Sequence, residues 1–175
     1  DAYFEIGITR KNEWLLPVTG KDVLMIQDCS ESMTQRKLND CREGLTRWLE
    51  KLDSRDRFNV MKFSEETELC FDSWNHPDPA TRARALWFVE NMEARGRTDV
   101  FDPLEQLLRL DTTAGRPLIA VLISDGRPTM GLVDSSDIIE RFTQANDGRV
   151  SVFTIGGGRR VNQFLMDLLS YRNRG

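Results

Sequence analysis

The run Val23-Leu24-Met25-Ile26-Gln27 passes directly into Asp28-Cys29-Ser30-Glu31-Ser32, and no other stretch constrains the fold as tightly. A short apolar run bounded by a polar turn reads as a buried strand, and the residues beyond it change period at once. Leu38, Cys41, Leu45, Trp48, Leu49 and Leu52 recur at helical spacing and give one apolar stripe. Strand, polar turn and helix in succession is the unit from which open α/β sheets are wound, and such sheets bind ligands beyond the carboxyl ends of their strands. Asp28, Ser30 and Ser32 put one carboxylate and two hydroxyls at that position. Hard oxygen donors of this kind suit Mg²⁺, which keeps several waters and takes few protein oxygens. Capping of the helix by Ser30 or Ser32 would explain the same residues, so the rest of the chain has to decide.

The alternation continues. Phe58 to Phe63 and Thr67 to Phe71 read as strands, and the short Ser64-Glu65-Glu66 between them predicts an antiparallel hairpin. Helical spacing returns at Ala85, Leu86, Val89 and Met92, and again at Phe101, Leu104, Leu107 and Leu108. Pro117 to Ser124 is the most apolar strand and is expected at the centre, because strands buried on both faces read as continuous apolar runs. Ile138, Ile139 and Phe142 mark a further helix, Val150 to Ile155 a strand and Val161 to Leu169 a last helix. The prediction is a three-layer, Rossmann-like α/β open sheet, mostly parallel with one antiparallel edge strand and with helices on both faces. Residues 3–9 look like a strand, so residues 1–20 are expected to be a strand and linker from an upstream region. Residues 21–175 would then be one domain, cut short before a last strand and helix.

Size and composition remove several classes of function. The 175 residues suffice for a single domain with a sizeable core. The longest apolar runs, such as Leu118 to Ile123, are far too short to span a bilayer. A net charge of −4 with both signs interspersed argues against nucleic acid as a partner, which needs a dense basic face. Cys29, Cys41 and Cys70 have no C-x-x-C spacing and only His76 for company, which fits neither a disulfide framework nor a zinc site. They are expected to be buried free thiols.

The polar turns of three strand-to-helix passages hold Asp28, Ser30 and Ser32, then Thr98, then Asp125. In a parallel sheet such turns share one edge and can converge. Five oxygen-bearing side chains without a histidine or thiolate fit a hard divalent ion rather than zinc or copper. This pattern (Asp28-x-Ser30-x-Ser32, Thr98 in Gly-Arg-Thr-Asp, Asp125 in Ser-Asp-Gly) resembles the metal-ion-dependent adhesion site of von Willebrand factor type A domains. Asp56-Arg57-Phe58-Asn59-Val60 with Phe63-Ser64, and Ser124-Asp125-Gly126-x-Pro128-Thr129-x-Gly131, look like the inter-α-trypsin inhibitor heavy-chain type of that family.

The resemblance implies that Ser30 and Ser32 bind the metal directly and that Thr98 does so directly or through water. Asp28 and Asp125 would hold metal-bound waters or bind directly, and would supply the negative charge. It also implies Mg²⁺ as the cofactor, with Mn²⁺ or Ca²⁺ as alternatives, and a protein partner that presents an Asp or Glu to the open metal position. Flanking domains of the same chain and an extracytoplasmic or secreted location are further expectations of the resemblance. Glu31 departs from the family pattern, which often has glycine between the two serines. It would either raise metal affinity or compete with an acidic ligand.

Arg95, Arg97, Arg127, Arg159 and Arg160 flank this site and could steer an acidic partner, and Glu31, Arg97, Asp99 and Arg127 form the expected partner-binding rim. Gly156-Gly157-Gly158 lacks the spacing of a phosphate-binding turn and reads as a tight turn. A serine hydrolase would need a positioned histidine, whereas His76 lies in a proline-flanked turn expected at the periphery. A Mg²⁺-dependent phosphotransfer or hydrolytic enzyme using Asp28 as nucleophile lacks a second acid at position 30 and, from the sequence, a lysine for the phosphate. Trp48, Trp74 and Trp87 read as core or edge packing. The expected function is divalent-cation-dependent protein binding, not catalysis. The alternatives are that enzyme, or a structural metal site that meets a neighbouring domain of the same chain.

Overall fold

The computed structural model describes residues 19–157 and 161–175. The strand expected over residues 3–9, Gly158, Arg159 and Arg160 lie outside the described residues. Among the described residues five strands form one sheet: β1 (Asp22–Asp28), β2 (Arg57–Phe63), β3 (Thr67–Leu69), β4 (Leu118–Ser124) and β5 (Val150–Gly156). The same residues form five α-helices, α1 (Gln35–Lys51), α2 (Pro79–Glu90), α3 (Phe101–Arg109), α4 (Ser135–Asn146) and α5 (Gln163–Arg172), of which α2 and α3 follow one another between β3 and β4. The order across the sheet is β3-β2-β1-β4-β5, parallel throughout except for β3, which pairs antiparallel with β2 at the edge. Among the described residues no helix is long and apolar enough to cross a membrane.

The centre is β1, not β4 as its apolar run suggested. All seven β1 residues are buried, whereas Ile119 and Val121 of β4 are only half-buried. Hydropathy alone mispredicts the order because β1 carries Asp22, Gln27 and Asp28, which are buried despite their polarity. Each has a partner: Gln27 Nε2 donates to Asp28 O at 2.7 Å, and Asp22 is clamped by two arginines. Arg57 donates to both Asp22 carboxylate oxygens at 2.8 and 2.6 Å, and Arg116 Nε adds a bond at 3.0 Å. This charge cluster joins β1, β2 and the segment before β4 at the amino ends of the strands. It also holds Asp22 below the ordinary carboxylate range: burial pushes its pKa up, but the two guanidinium groups outweigh it.

Side chains of successive strand residues point to opposite faces, and two cores result. Leu24, Ile26, Met61, Phe63, Ala120, Leu122, Val150 and Val152 pack with Leu104 and Leu107 of α3, Ile138 and Phe142 of α4, and Leu165 and Leu169 of α5. Met25, Phe58, Val60 and Ile123 pack on the other face against Leu38, Leu45 and Leu49 of α1 and Ala85, Phe88 and Val89 of α2. Register sets Phe153 beside Val121 and Ile155 beside Ile123 on this second face. Phe153 and Ile155 remain 42% and 53% exposed there, so the α1–α2 layer stops short of β5. Of the tryptophans, Trp48 and Trp74 pack against the cores, but Trp87 stands 65% exposed on α2 and contradicts the packing role expected for it. The three thiols are free; Cys29 and Cys70 are buried, and Cys41 is only half-buried.

Candidate metal centre

The carboxyl ends of β1 and β4 lie side by side, and each ends in a polar turn because the strand cannot continue. Asp28 Oδ1 accepts from Ser30 N at 2.8 Å, which bends the chain out of β1. A single 3₁₀ turn, Glu31–Met33, then leads into α1. The turn brings Ser30 Oγ within 3.0 Å of Ser32 Oγ. Beyond β4, Gly126 takes a left-handed φ of +65°, and an added Cβ would meet Met166 Cγ at 2.8 Å. This close turn directs Asp125 back toward β1.

The third loop lies between two stretches of helical spacing, Ala85 to Met92 and Phe101 to Leu108, and so reaches the site otherwise than by a strand-to-helix passage. Thr98 does not follow a strand: it lies between α2 and α3. Backbone bonds bring it in, since Arg95 N donates to Cys29 O at 2.8 Å, and Glu31 N to Gly96 O at 3.0 Å. On its other side, Thr98 N donates to Thr129 Oγ1 at 3.0 Å, and Thr98 O accepts from Thr129 N and Met130 N. Thr98 is thus held between the loops after β1 and β4, and is buried with 3% exposure.

The electrostatics are those of an anionic cup. Asp28 is fully buried and Asp125 is 4% exposed. Burial raises the Asp28 carboxyl above its ordinary value of 3.8, and the neighbouring Asp125 charge adds to the rise, while hydrogen bonds from Ser124 and Ser30 oppose it. Asp125 Oδ1 is buried without a hydrogen-bond partner. An unpaired carboxylate oxygen in the interior is costly, so its position beside Asp28, Ser30 and Ser32 fits a cation. The hydroxyls are neutral donors, and two carboxylates match the charge of one divalent ion.

Three residues of the site were not singled out from the sequence. Ser124 Oγ donates to Asp28 Oδ2 at 2.6 Å and accepts from Gly126 N at 2.8 Å, tying the ends of β1 and β4 together. Thr129 holds Thr98. Lys37, on the first turn of α1, donates from Nζ to Ser32 O at 3.0 Å and stands 3.6 Å from Asp125 Oδ2. A lysine does therefore stand at the site, contrary to the expectation from sequence. Ser124 was visible within the Ser-Asp-Gly turn, but nothing in the sequence marks Lys37, whose contact with Asp125 is purely tertiary.

The expected rim is realised unevenly. Glu31, Arg95, Arg97 and Arg127 are exposed. Arg97 is tied to Glu65, whose carboxylate accepts from its backbone N at 3.1 Å and from Nε at 3.4 Å. Asp99 is otherwise engaged: its Oδ1 accepts from Phe101 N and Asp102 N and caps α3. His76 lies at the other end of the sheet, with Nδ1 3.0 Å from Asp56 O just before β2. A seven-residue strand at ~3.3 Å per residue puts that end roughly 20 Å from Asp28. Gly157 N is directed at Ser124 O at 3.4 Å, as in a turn that closes back on the sheet.

The family described as von Willebrand factor type A domain matches residues 22–174. Inter-alpha-trypsin inhibitor heavy chain H4 of Homo sapiens is 29% identical over 163 residues, which cover 89% of this chain and 18% of the relative. The chain therefore spans about a fifth of that relative's length. Among solved structures, a von Willebrand factor type A protein from Catenulispora acidiphila superposes with a TM-score of 0.75 at 22% identity, covering 86% of this chain and 37% of the other. Proximal thread matrix protein 1 from the mussel byssus, with a zinc-occupied MIDAS motif, superposes at 0.70 and 15% identity, covering 86% and 41%.

Proposed function

Because the chain belongs to the von Willebrand factor type A domain family, we propose that it is a divalent-cation-dependent protein-binding module. The observation that carries this reading is the buried, unpartnered Oδ1 of Asp125 beside Asp28. Ser30, Ser32 and Thr98 would hold the ion with Asp28 and Asp125. When bound, it would offer a Lewis-acidic position to an Asp or Glu side chain of a partner protein. Mg²⁺ is the expected ion because the donors are hard oxygens. The zinc-occupied motif named for the mussel protein supports a divalent ion without fixing which one. Exposed Glu31, Arg97 and Arg127 would meet the partner around the ion. An extracytoplasmic location is part of the same proposal, supported by the similarity to the inhibitor heavy chains.

The enzymatic alternative is the weaker one on geometry. Asp28 would have to attack phosphorus, but it is fully buried, and both its oxygens already accept hydrogen bonds, from Ser30 N and Ser124 Oγ. Lys37 could hold a phosphate, yet it has no free nucleophile to serve.

Calorimetric titration of the wild type with Mg²⁺ and Mn²⁺, beside Asp28→Ala and Ser30→Ala, tests the proposal. Saturable binding by the wild type that weakens at least tenfold in both variants is expected. A wild type that takes up neither ion saturably would sink it.

A further inference from the structure

Resting on the metal reading above, we propose that Lys37 is a tethered counter-cation that occupies the edge of the metal-free site and sets how weakly the site takes a divalent ion. Its ammonium bridges two of the three ligand loops. It donates to Ser32 O at 3.0 Å in the loop after β1, and it faces Asp125 Oδ2 at 3.6 Å in the loop after β4. The lysine side chain is 32% exposed while that of Asp125 is 5% exposed, so the cation approaches from the solvent side. One carboxylate oxygen of Asp125 is screened by Lys37, and the other is buried without a partner.

The location of Lys37 argues for a role. It stands in the first turn of α1, which carries Arg36 beside it and no acid. The amino end of a helix carries partial positive charge and disfavours a cation. The ammonium is therefore held in place by Asp125 and Ser32 O against the helix on which it stands. Lys37 would be repelled by a divalent ion held by Asp28 and Asp125, and its four-carbon stem with partial exposure lets it swing outward. The ammonium would then leave Asp125 whenever a divalent cation was taken up, so that a monovalent charge on the chain would give way to a divalent one from solution. The affinity for the ion is lowered by the attraction Lys37 must give up. In return, the metal-free domain avoids two buried carboxylates with no counter-charge.

Substitution at Lys37 separates these effects. Lys37→Met keeps the stem and removes the charge, while Lys37→Arg keeps the charge. Each is titrated with Mg²⁺ and with Mn²⁺ by calorimetry beside the wild type, and each metal-free protein is melted in the presence of chelator. Lys37→Met is expected to bind Mg²⁺ about tenfold more tightly or better, a difference of ~1.4 kcal/mol. It should also melt at a lower temperature without metal, whereas Lys37→Arg should stay near the wild type in both. A Lys37→Met affinity within twofold of the wild type, or weaker, overturns the role of Lys37 and leaves the metal site standing. If neither the wild type nor Lys37→Met binds either ion, the metal reading falls and this inference falls with it.

Discussion

Replacing Ser124 by alanine should unfasten the site from beneath without touching any proposed ligand. The hydroxyl donates to Asp28 Oδ2 at 2.6 Å and accepts from Gly126 N at 2.8 Å, and it is fully buried. Loss of a hydrogen bond to a charged group costs about 1.5–3 kcal/mol, and an orphaned buried N–H costs about 1–3 kcal/mol more. The two share one atom and some relaxation, so a total of about 3 kcal/mol is expected, a large share of the roughly 5–15 kcal/mol that holds a domain folded. Urea unfolding in chelator reads this directly.

The deficit should also depend on pH. Burial already sets the folded pKa of Asp28 above its ordinary 3.8, so between those values the native state holds more protons than the unfolded state. Stability therefore falls as pH rises through that window. Removing a donor to the carboxylate widens the window, so the variant's deficit should shrink toward acid and grow toward neutrality. Mg²⁺ affinity should fall by about 10- to 100-fold, as for other groups that orient a metal ligand. In an Asp28→Asn background Ser124→Ala should cost less, and the difference measures the coupling. A Ser124→Ala protein within about 0.5 kcal/mol of the wild type, with its Mg²⁺ affinity intact, would refute the claim that this hydroxyl holds Asp28.

Two further perturbations test the frame around the site. Asp22→Asn leaves Arg57 and Arg116 without their buried counter-charge and should cost about 3 kcal/mol, the low end for a broken buried pair because both arginines stay partly exposed. Since Asp22 titrates below its unfolded value, the wild type should lose this stability as pH falls below the ordinary carboxylate range, and denaturation curves of wild type and variant should converge there. Gly131→Ala and Gly44→Ala should act with opposite signs in thermal melts. A Cβ at Gly131, where φ is +65°, would collide with the Asp99 carboxylate and push it off the amides of α3, whereas a Cβ at Gly44, within α1, meets nothing within 4 Å. Destabilisation of about 1–3 kcal/mol is expected for the first and stabilisation of about 0.5–1 kcal/mol for the second.

The elements were legible in the sequence because each obeys one period. The helical spacing from Leu38 to Leu49 and the apolar runs at β1, β4 and β5 predict helices and strands close to those observed. The order within the sheet was less legible, since a central strand is recognised by its burial, and β1 buries three polar residues, of which Asp22 and Asp28 take partners that lie far away in the chain. Asp28, Ser30, Ser32 and Asp125 could be picked out because turns after strands reach one edge. Thr98 was picked out by motif, although its route to the site is not by way of a strand. Lys37, Thr129 and the capping role of Asp99 were hidden for a common reason: each acts through a partner on another segment, and no local spacing records it. Trp87 shows the opposite failure, because Ala85-Leu86-Trp87-Phe88-Val89 in α2 are consecutive apolar residues and the run does not say which of them face the sheet.

The route by which Thr98 arrives has a consequence for how the chain assembles. Before folding, its loop, the turn after β1 and the turn after β4 are separate pieces of chain, and β1 cannot pair with β4 until α1, β2, β3, α2 and α3 have been spanned. Contacts of such long sequence separation form late and slowly. No partly assembled intermediate lacking the β1–β4 pairing can present all five oxygens together. Ion uptake would then report completion of the fold, and an ion at a hundred times its dissociation constant would add about 2.7 kcal/mol to the finished state alone. A partner that requires the ion would thereby be selecting chains that have finished folding.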